Sequence, residues 1–261
     1  MNREIISYGQ HFMKNELLLD ELVFLADLSK EDLVLEVGAG DGRLTKKLAQ
    51  KCAGVLSFEI DETKREQLLK LGLENVEFFF QNVLDYSGCL PKKIVANLPY
   101  QITEPFVEKL AKEDFSSAYL VVGKHFGISA TNLLPTKLSI MCHCFFRGTY
   151  VKDVAPENFD PAPKVYSSLI KLEKVKEKEL LNDVKLFIFR YLFSHRGQKL
   201  KNALKEAIIH YYYLKGQFFS QNESRAVIAK YFSEIDLDCY LYSAKNEKYA
   251  QLLQALENVE L

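Results

Sequence analysis

Four consecutive residues, Asn97-Leu98-Pro99-Tyr100, follow a short apolar run and combine groups suited to chemistry on a planar amine. An exocyclic nitrogen on an aromatic base is a poor nucleophile because its lone pair is delocalised into the ring. Two acceptors gripping its hydrogens, here the Asn97 side-chain oxygen and the Leu98 carbonyl, would favour a pyramidal nitrogen and expose that lone pair. Pro99 has a fixed φ and restricts the residue before it, which holds the carbonyl in place. Tyr100 offers a face on which a base can stack. A group presented in line to such a nitrogen transfers through positioning and charge stabilisation, without a strong general base. Read without its surroundings, the same tetrapeptide is a strand-ending proline turn with a buried tyrosine.

A second constellation lies earlier, in Leu35-Glu36-Val37-Gly38-Ala39-Gly40-Asp41-Gly42-Arg43-Leu44-Thr45. Glycines such as Gly38 and Gly40 let a backbone turn sharply and approach a ligand closely. A dinucleotide loop would carry Gly or Ala at position 43, which is Arg43. The pattern G-x-G-x-G after an acid is instead typical of S-adenosylmethionine sites. Glu59 follows the loop by about 20 residues, where an acid at a strand end accepts hydrogen bonds from both ribose hydroxyls. Asp61, just beyond it, suits the ordinary work of capping the next helix. Asn82, after a further apolar run, is placed to reach the adenine of the cofactor.

These residues need elements to hold them. Apolar runs at residues 33–37, 54–60, 76–80, 94–97 and 118–122 read as strands, with amphipathic stretches between them. Strand alternating with helix predicts an α/β fold with a mostly parallel sheet covered on both faces, and with the S-adenosylmethionine-type glycine pattern the expectation is a Rossmann-like methyltransferase sheet. The candidate residues then lie at the carboxyl ends of the strands, where open parallel sheets bind ligands. Residues 142–151 and 165–172 lack a full helix between them and predict an antiparallel pair closing the sheet. The mixed-charge run at 173–179 marks a boundary, beyond which residues 180–193, 197–213, 224–232 and 244–258 read as helices. The predicted division is a methyltransferase domain at 1–176 and a small all-helical, RNA-binding domain at 177–261.

With 48% hydrophobic and 26% charged residues, the chain of 261 residues has the composition of a globular protein with a substantial core. Its formal net charge of -1 does not mark it as a nucleic-acid binder. The distribution is more informative: residues 185–216 hold seven Lys or Arg and one acid, Glu206, a local charge of +6. Residues 217–261 hold seven acids and four bases. A locally basic element on a neutral protein suits phosphate contact, because each neutralised phosphate releases counterions. Arg196, Lys199, Lys201 and Lys205 are its centre. The tyrosines Tyr211, Tyr212 and Tyr213 are expected to pack between helices rather than to stack on RNA. Cys142 and Cys144 flank His143 without a second ligand pair, so no metal site is expected and the cysteines read as small strand residues. No run suits a signal peptide or a membrane span, which leaves a cytoplasmic location and no membrane partner as the expectation.

The chain resembles the ribosomal RNA adenine dimethyltransferase family over about residues 9–204. Gly9-Gln10-His11-Phe12 resembles the N-terminal signature of that family, and the resemblance implies cofactor contacts from His11 and Met13. Gly38, Glu59 and Asn97 match its other cofactor positions, and Phe159-Asp160-Pro161-Ala162-Pro163-Lys164-Val165 matches its F-x-P-x-P-K-V segment. By this resemblance Phe159 and Tyr100 would sandwich a flipped adenine. Phe193-Ser194-His195-Arg196, followed by Lys199-Leu200-Lys201-Asn202-Ala203-Leu204, is similar to the basic motif of the family's helical domain. The implied activity is methyl transfer from S-adenosyl-L-methionine to N6 of adenines, two adjacent ones each receiving two methyls, in the RNA of the immature small ribosomal subunit. A monomer is expected.

Two departures stand out. Position 82 is usually Asp in the family and is Asn82 here, and the fifth strand is followed by Gly123-Lys124-His125-Phe126 in place of a Gln-Lys-Glu run and an Arg-containing loop. Three other readings compete: a large-subunit adenine methyltransferase, an RNA-binding assembly factor with a vestigial cofactor site, and an NAD-dependent dehydrogenase. Arg43 and the lack of a hydride-transfer acid or base weigh against the last.

Overall fold

A computed structural model describes residues 10–259 of the chain. Gly9, the first residue of the expected N-terminal signature, lies outside them. Nine strands occur among the described residues: β1 (Phe12–Met13), β2 (Leu33–Val37), β3 (Gly54–Phe58), β4 (Val76–Phe79), β5 (Lys93–Asn97), β6 (Ser117–Gly123), β7 (Phe146–Val154), β8 (Phe159–Asp160) and β9 (Ser167–Lys174). Seven form one sheet in the order β4-β3-β2-β5-β6-β9-β7. The pairs from β4 to β6 are parallel, and β9 runs antiparallel to β6. From β2 the chain builds outward to β4 on one side, then returns to place β5 and β6 on the other. That reversal opens a crevice at the carboxyl ends of β2 and β5, the usual ligand position in such sheets. The remaining strands, β1 and β8, pair antiparallel, with Phe12 opposite Asp160 and Met13 opposite Phe159. This two-stranded piece joins the N-terminal arm to the proline-rich segment.

Helices α1 (Glu16–Leu25) and α2 (Arg43–Ala49) cover the sheet with the apolar stripe that their spacing creates. Leu18, Leu19 and Leu22 of α1 and Leu44 and Leu48 of α2 are buried with Val34, Val55 and Val121 of the strands in one core. Asn15 caps α1, its side-chain oxygen accepting from the Leu17 and Leu18 amides. Three more helices, α3 (Arg65–Leu69), α4 (Tyr100–Leu110) and α5 (Lys124–Thr131), complete this part.

The chain divides into two compact units: residues up to Thr131 with Gly148–Lys174, and Asn132–Arg147 with residues from Val175 onward. The second holds α6 (Lys137–Phe145), α7 (Val184–Ser194), α8 (Leu200–Leu214), α9 (Gln221–Tyr231) and α10 (Asn246–Glu257). Its core includes Phe187, Phe189, Leu204, Ile208 and Tyr249. One break follows Lys174, and Asn132–Arg147 groups with the helical unit. Within it, Cys142 and Cys144 are buried on α6, not on a strand. A short apolar run is compatible with either state, and here Thr136 caps a helix by accepting from the Ser139 amide. Half-buried Arg190 then donates to the carbonyls of Cys144 at 3.2 Å and Val175 at 2.6 Å, satisfying acceptors near the α6 end. No group of three or more His, Cys, Asp or Glu suited to a metal occurs among the described residues.

Candidate active site

The glycine-rich turn leaves β2 with Gly38, Gly40 and Gly42 all at positive φ. At Gly40 the constraint is doubled, because φ is +60° and an added Cβ would stand 2.9 Å from Cδ1 of Phe12. The amides of Gly38 and Ala39 both donate to the Phe58 carbonyl, at 2.8 and 3.1 Å, tying the turn to the end of β3. Beneath it Glu36 is fully buried, with Oε2 accepting from Thr45 Oγ1 and Ser57 Oγ, each at 2.6 Å. One carboxyl group thus links β2, α2 and β3 under the loop. Burial pushes the Glu36 carboxyl up to about 8, against the opposing effect of the two hydroxyls.

Glu59 stands just past β3 and is buried, yet lines the same cavity as Gly38, Gly40 and Asn97. Its Oε2 accepts from the Gly40 amide at 2.8 Å and its Oε1 from the Asp61 amide at 2.9 Å. Gln10 Nε2 donates to Oε1 at 3.4 Å. Burial raises the Glu59 carboxyl above its ordinary value, and the amides of Asp61 and Gly40 oppose that rise. Oε2 keeps a free lone pair for a ribose hydroxyl. Nearby, Gln10 Oε1 is buried with no protein partner. An orphaned acceptor and a carboxylate, facing a cavity with Phe58 and Ile60 on its wall, fit the ribose and adenine of S-adenosylmethionine.

Asp61 caps the short turn after Glu59, accepting from the Thr63 amide at 3.0 Å, as expected. Asn82 also lines the cavity, but its Oδ1 accepts from the Leu84 amide at 3.0 Å and caps the next turn. Its Nδ2 donor is what remains for an adenine ring. Met13 is a different matter. It does not line the cavity; it is buried in the main core beside Phe159, because alternation along β1 turns its side chain away from that of Phe12.

The tetrapeptide occupies the end of β5 and the start of α4. Asn97 Nδ2 donates to the His11 carbonyl at 2.8 Å, and the Leu98 amide donates to the Val121 carbonyl at 3.0 Å. That bond uses one of the two Nδ2 hydrogens and fixes the side-chain amide, leaving Oδ1 available as an acceptor. Asn97, Leu98, Pro99 and Tyr100 all line the cavity. Pro99 is the N-cap of α4, and its carbonyl accepts from the Ile102 amide and Thr103 Oγ1, both at 3.1 Å. The Tyr100 hydroxyl lies 2.6 Å from Ser167 Oγ, and burial raises its pKa. His11 Nδ1–H donates to the Pro161 carbonyl at 2.7 Å, which sets its tautomer and leaves Nε2 as the ring's acceptor. The His11 ring centroid is 5.7 Å from that of Tyr100, tilted by 40°. Phe159 forms part of the cavity wall but is only 2% exposed and packs in the core. It offers a wall to an incoming base, and Tyr100 and His11, both partly exposed, line the same cavity.

The sequence alone does not point to Gln10, Glu36, Ser167 or the His11 ring in these roles. Gln10 lies beside His11-Phe12 in the N-terminal signature, and Glu36 is the acid before the glycines; their burial is a tertiary property without a local signal.

In the helical unit the basic stretch is partly neutralised. Arg190 serves the α6 end, as described, and Lys199 pairs with Asp238 at 2.7 Å. Arg196 folds back, its Nε donating to the Phe193 carbonyl at 3.0 Å. Lys201 is exposed and Lys205 partly so, on one face of α8. Tyr211 is buried in the helix packing, as expected, while Tyr213 is exposed.

The family model described as "Ribosomal RNA adenine dimethylase" matches residues 1–226. A relative from Methanococcus maripaludis strain C6, named "Probable ribosomal RNA small subunit methyltransferase A", is 34% identical over 212 residues, covering 77% of this chain and 81% of its own. A dimethyladenosine transferase from Plasmodium falciparum is similar in structure, with a TM-score of 0.63 and 25% identity over 95% of this chain and 98% of its own. The 23S rRNA methyltransferase ErmE has a TM-score of 0.59 at 20% identity, over 95% of this chain and all of its own, a likeness of fold.

Proposed function

We propose, from the premise that the chain belongs to the ribosomal RNA adenine dimethylase family, that it dimethylates adenines of small-subunit ribosomal RNA at N6. It is an S-adenosylmethionine-dependent methyltransferase. The single observation that carries the substrate reading is Asn97, whose amide nitrogen donates to the His11 carbonyl and so fixes the side chain with Oδ1 available to accept from a target amine. Bound S-adenosylmethionine supplies an electrophilic methyl. Every other part of the reaction falls to this chain.

Glu59 and Gln10 offer acceptors to the ribose, and the Gly38–Gly40 turn permits close approach of the cofactor's backbone-facing side. An adenine leaving the RNA stack meets the Tyr100 ring, with Phe159 as the wall. Asn97 Oδ1 and the Leu98 carbonyl accept from the N6 hydrogens, pyramidalise the nitrogen and direct its lone pair toward the methyl. The positive charge that develops on N6 with each transfer is stabilised by the same two oxygens, and one N6 proton is then released to solvent water. A product still carrying one N6 hydrogen can repeat the cycle, which allows two methyls on each base.

The helical unit, expected at 177–261, supplies most of the RNA affinity in this reading, through Lys201 and Lys205 with Arg196 and Lys199 beside them. The reading further holds that the protein acts in the cytoplasm as a monomer, on immature small subunits and on two adjacent adenines. Mapping methylated adenines in ribosomal RNA from cells with and without this protein tests it. Loss of N6,N6-dimethyladenine from small-subunit RNA supports the reading, and unchanged small-subunit RNA refutes it.

A further inference from the structure

Gly123, the last residue of β6, stands in register with Ser167, the first of β9. Tyr100 lies against this strand-end pair. A Cβ built on Gly123 would be 3.7–3.8 Å from three atoms of the Tyr100 ring, and the phenol oxygen is 2.6 Å from Ser167 Oγ. Ser167 is fully buried. The ring is therefore backed by a strand end and latched at its tip, while it lines the cavity.

We infer that Ser167 is a positioning residue for the target base: by holding the Tyr100 hydroxyl, it sets the angle at which the ring meets the adenine. The inference rests on the reading that Tyr100 stacks the adenine. The physical need is plain. Tyr100 is the first residue of α4, anchored to the backbone at one end, and without a partner for its hydroxyl the ring samples other side-chain angles. A stacking surface that is tilted or withdrawn shifts N6 relative to Asn97 Oδ1, and small misplacements of reacting atoms are costly. His11, 5.7 Å away and tilted, flanks the ring without bonding its hydroxyl. Ser168, the next residue, provides an internal control. It is equally buried, but strand alternation turns it to the other face, where its Oγ is 2.7 Å from the Tyr150 hydroxyl.

The test is steady-state methylation of small-subunit RNA by Ser167→Ala, Tyr100→Phe, the double variant, Ser168→Ala and Tyr100→Ala, with S-adenosylhomocysteine affinity measured on each. Ser167→Ala and Tyr100→Phe should each lower kcat by about tenfold to hundredfold, with the KM for RNA and the S-adenosylhomocysteine affinity little changed. The double variant should be no worse than either single one, since all three lack the same bond. Ser168→Ala should keep wild-type kcat. If Ser167→Ala fails to fold, Tyr100→Phe removes the bond from the other side with the ring retained. Wild-type kcat in Ser167→Ala or in Tyr100→Phe, a double variant whose loss is the product of the singles, or an equal loss in Ser168→Ala would each overturn the inference. Tyr100→Ala separates the two levels. Wild-type turnover in that variant overturns the stacking reading itself, whereas loss there beside full activity in Ser167→Ala overturns only the positioning role.

Discussion

Replacing Glu36 with Gln should flatten the dependence of stability on pH, and the size of the effect follows from the buried carboxyl. Glu36 is fully buried, its Oε1 has no hydrogen-bond partner, and its pKa is pushed from the ordinary 4.5 up to about 8 by desolvation. Nearby Glu59 and Asp41 add to the rise. Because the folded pKa is raised, the folded state keeps a proton that the unfolded chain releases above pH 4.5. The contribution of Glu36 is therefore full below that pH and declines as pH rises, until the folded carboxyl ionises near 8. At about 1.4 kcal/mol for each tenfold change, the decline between pH 5 and 9 amounts to about 4 kcal/mol at most. Gln stays neutral throughout, accepts from Thr45 and Ser57 through one oxygen, and has no proton to lose. Urea unfolding of both proteins across that range gives the difference in stability at each pH. The wild type should lose ground to Glu36→Gln steadily as pH rises. Parallel curves would refute the burial argument, and with it the view that a neutral carboxyl holds β2, α2 and β3 together under the glycine turn.

Glu59→Ala should weaken binding of S-adenosylhomocysteine in calorimetric titration, by about 1.5–3 kcal/mol for each hydrogen bond removed from the carboxylate, with the fold retained. Gly40→Ala should weaken the same affinity, since the site needs φ of +60° and a Cβ there meets the Phe12 ring at 2.9 Å; unchanged titration curves would show that the turn yields freely. Replacing Lys199, Lys201 and Lys205 with Ala should weaken RNA binding and flatten its salt dependence by roughly 0.7–0.9 log units for each phosphate that is no longer neutralised. Most of that change should come from Lys201 and Lys205, because Lys199 is already paired with Asp238, and an unaltered salt slope would remove the basic stretch from the RNA footprint.

Much of the sheet part is readable from the sequence because its signals are local. Short apolar runs bounded by turn residues mark the parallel strands, and the glycine turn, Glu59 and the tetrapeptide all fall at strand ends as anticipated. The helix over Lys137–Phe145 reads in part as a strand, since an apolar run of that length has no period to decide the matter. Met13 illustrates a different limit. His11 and Phe12 before it line the cavity, but the two-residue period of β1 turns it into the core, and that depends on pairing with a segment far along the chain. Phe159, the opposite residue in the pairing, is buried for the same reason. The Tyr100–Ser167 hydrogen bond exists only because β9 pairs antiparallel with β6 in the register that sets Ser167 beside Gly123. Such partnerships are made by topology and leave no mark in spacing.

The central claim is that Asn97 Oδ1 prepares an adenine N6 for methylation, and single-turnover transfer to small-subunit RNA tests it most directly. The wild type and Asn97→Ala are compared at saturating S-adenosylmethionine, with products identified by mass spectrometry of the digested nucleosides. The wild type should yield N6,N6-dimethyladenosine, and Asn97→Ala should be slower by about 10²-fold or more, as for loss of one preorganised polar group at a reacting centre, while still binding RNA. Near-normal rates in the variant, or wild-type product methylated anywhere but adenine N6, would contradict the account.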